Sequence, residues 1–396
     1  MSEKFSLAIW DLNSEVCLLV EKIVKESIIK CNDDKNFTDY LTYGESLGTL
    51  HYREFTAKFL TGLYNDDVCS SNIVATFGAS FGFTLIMSQF FEAGDYLFVE
   101  DLTFAFITKT ASNYGMNVIP VVSDNDGISI EKLEASLLMY QSTRRKISEK
   151  KPFSAMIYLL SVCHNPKGTS YSDASCMKIV ELARKYNVLV VTDDVYNFFQ
   201  YGDSIANRLI KFDKINGSPY NHGNVVSNGS FSKVLFPSLR LGWLECSHWI
   251  ANELEQRGDF ISGGGCQTFN QQLCVHILSH PSLNQLLNDV KLCYKNFLET
   301  AISFMDDNCP KQIKFTRPEC SFFLWIELPK NINSKDLRKA CNAKGVDFVE
   351  GNKFTSHCDG CYDNYLRLCV TNLNIEELKR QLGIFCQEAK QIIYSQ

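Results

Sequence analysis

The sequence lacks an excess of basic residues and lacks a dinucleotide-binding glycine motif. Its 39 Lys and Arg residues are outnumbered by 45 Asp and Glu residues, which gives a formal net charge of −6. Such a balance argues against a nucleic-acid-binding protein with a broad basic face. No Gly-x-Gly-x-x-Gly stands between an expected strand and an expected helix, which excludes an NAD enzyme of the dinucleotide-binding type.

Long apolar runs are also missing. Residues 73–91 form a stretch of 19 without a charge, but it contains two Gly, two Thr, two Ser and one Gln. A transmembrane helix needs about 20 predominantly apolar residues, so this stretch does not predict a membrane span. We interpret it as a strand end, a glycine turn and a buried helix, and we expect no membrane partner.

Secretory features and metal-binding spacings are absent as well. Residues 1–5 include the acidic Glu3, and no long apolar segment follows, so no signal peptide is expected. The 16 cysteines are scattered without the spacing of a disulfide framework, which predicts free thiols and a cytoplasmic protein. Cys358 and Cys361 form a lone Cys-x-x-Cys pair, so we expect a loop with two thiols and no metal site.

Short apolar runs alternate with helical patterns through the middle of the chain. These runs are residues 97–99, 117–122, 155–160, 188–192, 225–228 and 241–246. Most lack a regular polar alternation, which is typical of strands buried on both faces. Ser172 and Asp173 can cap a helix that continues to about Tyr186. Strand–helix–strand units at this spacing predict parallel neighbours and an α/β fold.

The ends of the chain differ from its middle. Residues 1–40 are expected to form an N-terminal segment, with an amphipathic helix, that packs on a small domain. Residues 41–285 are predicted to form a large α/β domain. Residues 286–396 are predicted to form a small C-terminal α+β domain with strands near 322–328 and 365–370.

A cluster of hydroxyl and basic residues follows one of the apolar runs. Ser230 and Ser232 stand beside Lys233, and Arg240 follows seven residues later. A deprotonated lysine amine can form a Schiff base with an aldehyde, and arginine makes a forked contact with phosphate. Taken alone, the cluster would also fit an ordinary strand-to-loop edge at the surface.

Three further segments strengthen the chemical interpretation. Asp193 follows the run 188–192, and a carboxylate at the end of a buried strand needs a cationic partner, such as a protonated pyridine nitrogen. Asn165 follows the run 155–160. Gly78 stands before a helix pattern, where free backbone amides can bind an anion.

Together these segments resemble the fold-type I aminotransferases that use pyridoxal 5′-phosphate (PLP), in particular the subgroup with 2-aminoadipate and kynurenine aminotransferases. The resemblance covers most of the chain and rests on Ser-Phe-Ser-Lys at 230–233, Leu-Arg-Leu-Gly at 239–242, Asn-Pro-Lys-Gly at 165–168 and Asp-Asp-Val-Tyr at 193–196. It implies the PLP-dependent transferase fold type I: a mostly parallel central sheet, helices on both faces and a smaller α+β domain. It also implies a homodimer with shared active sites.

The resemblance also implies a role for each motif residue. Lys233 is similar to the Schiff-base lysine that carries the proton, and Asp193 to the aspartate that keeps the pyridine nitrogen protonated. Tyr196 and Asn165 match the groups that hydrogen-bond the ring's phenolic oxygen. Tyr196 is expected to be catalytic, as are Lys233 and Asp193. The other expected cofactor contacts are Ala79, Ser80, Ser230, Ser232 and Arg240 at the phosphate, Phe104 stacked on the ring, and Tyr43 reaching the phosphate from the partner subunit. Arg367, with Asn165, is expected to bind the substrate carboxylate.

The sequence departs from the family pattern at several positions. Cys320 and Ser321 replace two glycines, Glu350 replaces a proline and Phe81 replaces a glutamine. The N-terminal Gly-x-Pro signature is not visible near residues 9–13. We expect these changes to line the substrate pocket more than the PLP site.

The resemblance predicts a PLP-dependent aminotransferase that exchanges an amino group between an L-amino acid and a 2-oxo acid by a ping-pong mechanism. Two alternatives stay open. A β-eliminating lyase or a cyclising synthase on the same fold would use the same Lys233 and Asp193. A non-catalytic ligand-sensing or scaffold relative would fit the altered residues 320–321, although such a protein would not need Lys233.

Overall fold

The computed structural model describes residues 6–8, 11–124, 126–202, 204–216, 222–263, 265, 267–356 and 360–395. Its strands, in chain order, are β1 (Ile73–Thr76), β2 (Tyr96–Glu100), β3 (Asn117–Val121), β4 (Ser123–Asp124), β5 (Gly127–Ile128), β6 (Ala155–Leu159), β7 (Leu189–Asp193), β8 (Val225–Ser230), β9 (Gly242–Glu245), β10 (Lys314–Phe315), β11 (Phe323–Glu327), β12 (Val349–Glu350) and β13 (Tyr365–Cys369). Its α-helices are α1 (Ser14–Asn32), α2 (Leu50–Tyr64), α3 (Ala79–Phe90), α4 (Ala105–Asn113), α5 (Ile130–Met139), α6 (Asp173–Tyr186), α7 (Leu209–Asn216), α8 (His248–Glu255), α9 (Gly258–Ile261), α10 (Thr268–Leu278), α11 (Leu283–Asn308), α12 (Ser334–Asn342) and α13 (Ile375–Ser395).

A seven-stranded mixed sheet forms the centre of the fold. Its strand order is β1-β9-β8-β7-β6-β2-β3. Strands β8, β7, β6, β2 and β3 run parallel to one another, whereas β9 is antiparallel to β8 and to β1. The prediction of a mostly parallel sheet is confirmed, and the apolar run at 241–246 supplies the one reversed strand.

Both faces of this sheet are buried, because successive side chains of a strand enter different hydrophobic cores. On β6, Met156 and Tyr158 belong to one core, and Ala155, Ile157 and Leu159 belong to the other. The first core also contains buried residues of α3, and the second contains buried residues of α5 and α6. Two buried faces explain why these strands lack polar alternation in the sequence.

Helix boundaries follow from local capping and turn residues. Ser172 Oγ accepts a hydrogen bond of 3.2 Å from the Ser175 amide, and α6 ends at Tyr186, as predicted. The uncharged stretch 73–91 contains β1, a turn at Gly78 and α3, also as predicted. Within the described ranges, no helix is both long and apolar enough to cross a bilayer.

A second, antiparallel sheet has the order β10-β11-β13-β12. The N-terminal segment is attached to it by hydrogen bonds. The Cys369 amide donates to the Leu7 carbonyl at 2.7 Å, and Asn13 Nδ2 donates to the Thr371 carbonyl at 2.9 Å. The N-terminal segment therefore meets the C-terminal part of the chain at β13, the strand that carries Arg367.

A buried ion-pair network joins three elements beside the central sheet. Arg208 Nη2 lies 2.8 Å from Asp66 Oδ2, and Arg208 Nη1 contacts the Glu245 carboxylate at the end of β9. The Arg208 guanidinium also lies 4.1 Å from the centroid of the Tyr64 ring, at the end of α2. The side chains of Arg208 and Glu245 are 1% and 0% exposed, so water cannot substitute for either partner.

We predict that Arg208→Ala lowers the free energy of unfolding by about 3–5 kcal/mol, because Glu245 would stay buried without its guanidinium. Urea unfolding followed by circular dichroism measures this change. Lys185→Ala is the matched control, since Lys185 pairs with Glu134 at the exposed surface, where ion pairs contribute little. Equal stability of the Arg208 variant and the native protein would contradict the prediction.

Candidate active site

A cavity of about 690 Å³ lies where the segments after β6, β7 and β8 converge. Eleven of the twelve residues expected at the PLP site line it, namely Ala79, Ser80, Phe104, Asn165, Asp193, Tyr196, Ser230, Ser232, Lys233, Arg240 and Arg367. They come from sequence positions spread over most of the chain. They converge because the carboxyl ends of parallel strands share one edge of a sheet.

One end of the cavity has the geometry of an anion site. Gly78, just before α3, has φ +91° and ψ 171°, a backbone region essentially restricted to glycine. A Cβ at this position would lie 3.4 Å from Arg240 Nη2 and 3.5 Å from Ser230 Oγ. Glycine therefore leaves a gap between a guanidinium, a hydroxyl and the amide end of α3. These groups together suit a phosphate.

Asp193 is a buried carboxylate with one satisfied oxygen. Tyr158 donates a hydrogen bond of 2.6 Å to Asp193 Oδ2. Asp193 Oδ1 has no hydrogen-bond partner among the residues that the structure describes. Burial raises the pKa of Asp193 to about 6, and the negative charge of the neighbouring Asp194 raises it further. The Tyr158 hydrogen bond and the positive charge of Lys233 lower it, but by less. A cation beside Oδ1 would reverse this shift.

Burial acts in the opposite direction on Lys233, which lines the same cavity. Burial lowers the pKa of Lys233 to about 7, and the positive charge of the nearby Arg367 lowers it further. Cys369 and Asp193 act in the opposite direction and raise this pKa, but by less. A large fraction of this amine is therefore neutral near pH 7. Only the neutral amine can attack an aldehyde carbon.

Arg367 is held between aromatic rings. Its guanidinium carbon lies 4.3 Å from the ring centroid of Phe323 and 4.9 Å from that of Phe354. Nη1 donates to Asn165 Oδ1 at 2.9 Å, and Nη2 donates to the Ala8 carbonyl at 2.8 Å. Arg367 is buried, and its surroundings offer it carbonyl oxygens and ring faces. Such a guanidinium suits a carboxylate ligand.

Tyr196 and Phe104 supply further aromatic surface. Tyr196 is buried and packs edge-on against Phe322 and Phe323, with ring centroids 5.7 and 5.5 Å apart. Burial raises the pKa of the Tyr196 hydroxyl, so this group stays protonated and can donate a hydrogen bond. Phe104 precedes α4 and forms part of the cavity wall.

Tyr43 is the one expected residue that the chain does not bring to the cavity. Its side chain is 85% exposed, and a Cβ on Gly263 would lie 3.5 Å from Tyr43 Cε1. Tyr43 belongs to a surface depression with Phe269 and Gln267, apart from the Lys233 cavity.

Cys320 and Ser321 do not line the cavity, contrary to the expectation that they face the substrate pocket. Cys320 Sγ donates to the Gly168 carbonyl at 3.2 Å, on the loop that follows Asn165. Ser321 has φ +64°, so a serine here adopts the left-handed conformation that favours glycine. Cys320 therefore contacts the loop that follows Asn165.

Further residues of the cavity wall carry no motif signature in the sequence. The cavity is also lined by residues to which the sequence motifs assign no role, namely Phe323, Val349, Lys353 and Phe354. In the sequence, Tyr158 belongs only to an apolar strand. Its hydroxyl, in a run that is otherwise Ala, Met, Ile and Leu, is the signal that could have found it.

Cys358 of the Cys-x-x-Cys pair lies outside the described residues, as do His357 and Asp359. Within the described residues, no cluster of three or more His, Cys, Asp or Glu side chains could hold a metal ion.

The cavity fits PLP at three points. The Gly78 gap matches the phosphate, the orphaned Asp193 Oδ1 matches a protonated ring nitrogen, and the neutral amine of Lys233 matches the aldehyde. These are the three functional groups that distinguish PLP from a simple anion or a simple aldehyde.

Comparisons with known proteins agree with this geometry. Residues 9–385 match the family model described as aminotransferase class I and II. The aromatic-amino-acid aminotransferase 1 of Thermococcus litoralis is 24% identical over 376 residues, which are 94% of this chain and 84% of that protein.

Solved structures with the same fold include two aminotransferases. The kynurenine aminotransferase of Pyrococcus horikoshii aligns with a TM-score of 0.84 and 24% identity, covering 99% of this chain and 92% of that one. The alpha-aminoadipate aminotransferase of Thermus thermophilus aligns with a TM-score of 0.83 and 22% identity, covering 99% of this chain and 93% of that one. Since the family model matches nearly the whole of its length, the chain belongs to the class I and II aminotransferases.

Proposed function

We propose that the cavity binds PLP and that the protein transfers an amino group from an L-amino acid to a 2-oxo acid by a ping-pong mechanism. The observation that carries the proposal is the convergence of Lys233, Asp193 and the Gly78 gap in one cavity. When bound, PLP supplies an electron sink for the bond that breaks at the substrate Cα.

Lys233 would hold the cofactor covalently and then act as the base and acid at Cα. Its pKa of about 7 lets the amine take a proton from substrate and return it at neutral pH. Asp193 would keep the ring nitrogen protonated through Oδ1. Tyr196 and Asn165 would hydrogen-bond the ring's phenolic oxygen, and Ala79, Ser80, Ser230, Ser232 and Arg240 would hold the phosphate.

Arg367 would bind the substrate α-carboxylate, since this buried arginine lines the cavity. The same guanidinium donates to Asn165 Oδ1, which connects the carboxylate site to the ring site. A carboxylate positioned here brings the substrate Cα towards Lys233, because both residues line one cavity. Orientation of this kind can supply a large part of a rate enhancement.

We infer a large apolar or aromatic side chain on the preferred amino donor. The cavity wall includes Phe106, Ile107, Val349 and Phe354, which offer apolar surface for such a side chain. Lys353 also lines the cavity and is the cation that an acidic side chain would require, so 2-aminoadipate is the informative competitor.

We also propose a homodimer in the cytoplasm, with Tyr43 contributed to the partner subunit's phosphate site. The exposure of Tyr43 supports this proposal, because a tyrosine so exposed is available to a second copy. Leu41, Leu50 and Phe269 add exposed apolar surface in the same part of the molecule. We further propose that residues 1–40 form an N-terminal segment on the small domain, residues 41–285 the large domain and residues 286–396 the small domain.

The pKa of Lys233 predicts its reactivity in PLP-free protein. Acylation of Lys233 by an amine-selective reagent should rise with pH and reach half its maximum near pH 7, because only the neutral amine reacts. Nα-acetyl-lysine amide, with an ordinary pKa of about 10.4, should still be gaining reactivity above about pH 9. Mass-spectrometric peptide mapping after short pulses measures both. A Lys233 midpoint close to that of the reference amine would contradict the prediction.

Transamination itself is tested by the half-reaction. An amino donor without an oxo acid should convert bound PLP to its amine form, with a change in the absorbance spectrum and release of one 2-oxo acid. Phenylalanine and leucine should react faster than 2-aminoadipate. Lys233→Ala should abolish both the reaction and the borohydride-stable link to the peptide that contains residue 233, whereas Lys330→Ala, at an exposed turn, should retain both. With serine or cysteine, which carry a leaving group at Cβ, release of pyruvate and ammonia without an acceptor would favour the lyase instead.

Subunit complementation tests the position of Tyr43. In a mixed dimer of Lys233→Ala and Tyr43→Ala chains, one site should carry both defects and the other should carry neither. Equal mixing after dissociation should therefore restore about a quarter of all sites. If Tyr43 serves its own chain, every site keeps one defect and mixing restores nothing. Sedimentation of the mixture confirms that dimers have re-formed.

A further inference from the structure

Tyr158 is a fully buried phenol in contact with the Asp193 carboxylate. Its hydroxyl donates a hydrogen bond of 2.6 Å to Asp193 Oδ2. The parallel register of β6 and β7 explains the contact, since Tyr158 pairs with Val191 and Asp193 stands two residues further along the same face of β7. The ring packs edge-on against Phe83 of α3, with centroids 5.4 Å apart.

Packing alone does not require this hydroxyl. The other residues of β6 are Ala, Met, Ile and Leu, and all are buried. A phenol hydroxyl in such surroundings costs free energy unless it finds a partner, and it finds one in Asp193. A phenylalanine would fill the same space without needing a hydrogen-bond partner, so core packing does not explain the presence of the hydroxyl.

The reason lies in the different roles of the two carboxylate oxygens. With Oδ2 engaged by Tyr158, rotation of the Asp193 carboxylate is restricted. Oδ1 stays without a partner among the described residues, although the residue lines the cavity. A carboxylate free to rotate would present its charge at variable positions.

We propose that Tyr158 is a positioning residue, whose hydroxyl orients the Asp193 carboxylate so that Oδ1 meets the ring nitrogen of the cofactor. This inference rests on the proposed function. Tyr158 does not line the cavity, so it acts through Asp193 and touches neither cofactor nor substrate.

The groups around Asp193 determine how removal of the hydroxyl would act. Burial and Asp194 raise the pKa of Asp193, whereas Tyr158, the Val195 amide and Lys233 lower it. Tyr196 and Glu100 are the other titratable groups that act on the Tyr158 hydroxyl. Loss of the Tyr158 donor therefore raises the pKa of Asp193, and the ionised carboxylate then persists only at higher pH.

The experiment measures PLP affinity of the PLP-free protein as a function of pH, for native protein and Tyr158→Phe. We expect the variant to bind PLP roughly tenfold more weakly at neutral pH, as for loss of a hydrogen bond to a charged group. The acidic limb of the binding curve, which is the pH range over which affinity falls as the solution becomes more acidic, should move to higher pH. The titrations of PLP itself are common to both proteins and cancel in the comparison.

Tyr171→Phe is the matched control. Tyr171 is also buried and donates to a buried carboxylate, Glu100 Oε1, at 2.7 Å, but it lies outside the cavity lining. The Tyr171 variant should lose stability without moving the acidic limb. Asp193→Asn should remove only the part of the limb that Asp193 contributes, because the asparagine side chain does not titrate, whereas Lys233 and PLP still do.

A second variant tests the same role if Tyr158→Phe folds poorly. Difluorotyrosine at position 158 keeps the hydroxyl and makes it a stronger donor, so the acidic limb should move to lower pH. An unchanged limb in both variants, or equal shifts in Tyr171→Phe, would overturn the positioning role. Absence of any borohydride-stable PLP link in native protein would instead overturn the proposed function, which keeps the two failures distinct.

Discussion

The burial of the Asp193 carboxylate at the end of β7 is the constraint on which the cavity depends. Both faces of the sheet are covered, so this carboxylate has lost its water and gained one neutral side-chain donor, Tyr158. Its pKa rises to about 6 for that reason. A buried carboxylate left with an unpartnered oxygen favours whatever cation can reach it. The fold therefore favours a cation beside Asp193 Oδ1, and a protonated ring nitrogen is such a cation.

The same loss of water produces the opposite tendency in Lys233. An amine becomes neutral more easily when buried, whereas a buried carboxylate keeps its charge only beside a cation, so one environment favours both a neutral Lys233 and a cation next to Asp193. The phosphate end depends less on burial, because Arg240 is exposed there and the α3 amides face the Gly78 gap. Charge and backbone geometry act at that end, whereas desolvation acts at the other.

Arg367 shows how distant parts of the chain share one site. Its strand, β13, is hydrogen-bonded to the N-terminal segment through the Leu7 carbonyl, and its guanidinium donates to the Ala8 carbonyl. Asn165, about two hundred residues away in sequence, accepts from the same guanidinium. A movement of the N-terminal segment would therefore alter the carboxylate site directly.

The longer strands of both sheets and the order of the motifs could be predicted from the amino-acid sequence, because apolar runs and motif residues are local properties. The two-residue strands β4, β5, β10 and β12 could not. The sequence also indicated that Gly78 precedes a helix. Three contacts could be found only in the folded chain: Tyr158 with Asp193, Phe323 and Phe354 with Arg367, and Cys320 with the Gly168 carbonyl. Those contacts join residues of different strands and loops, and no local pattern records which side chains a sheet register or a crossover brings together.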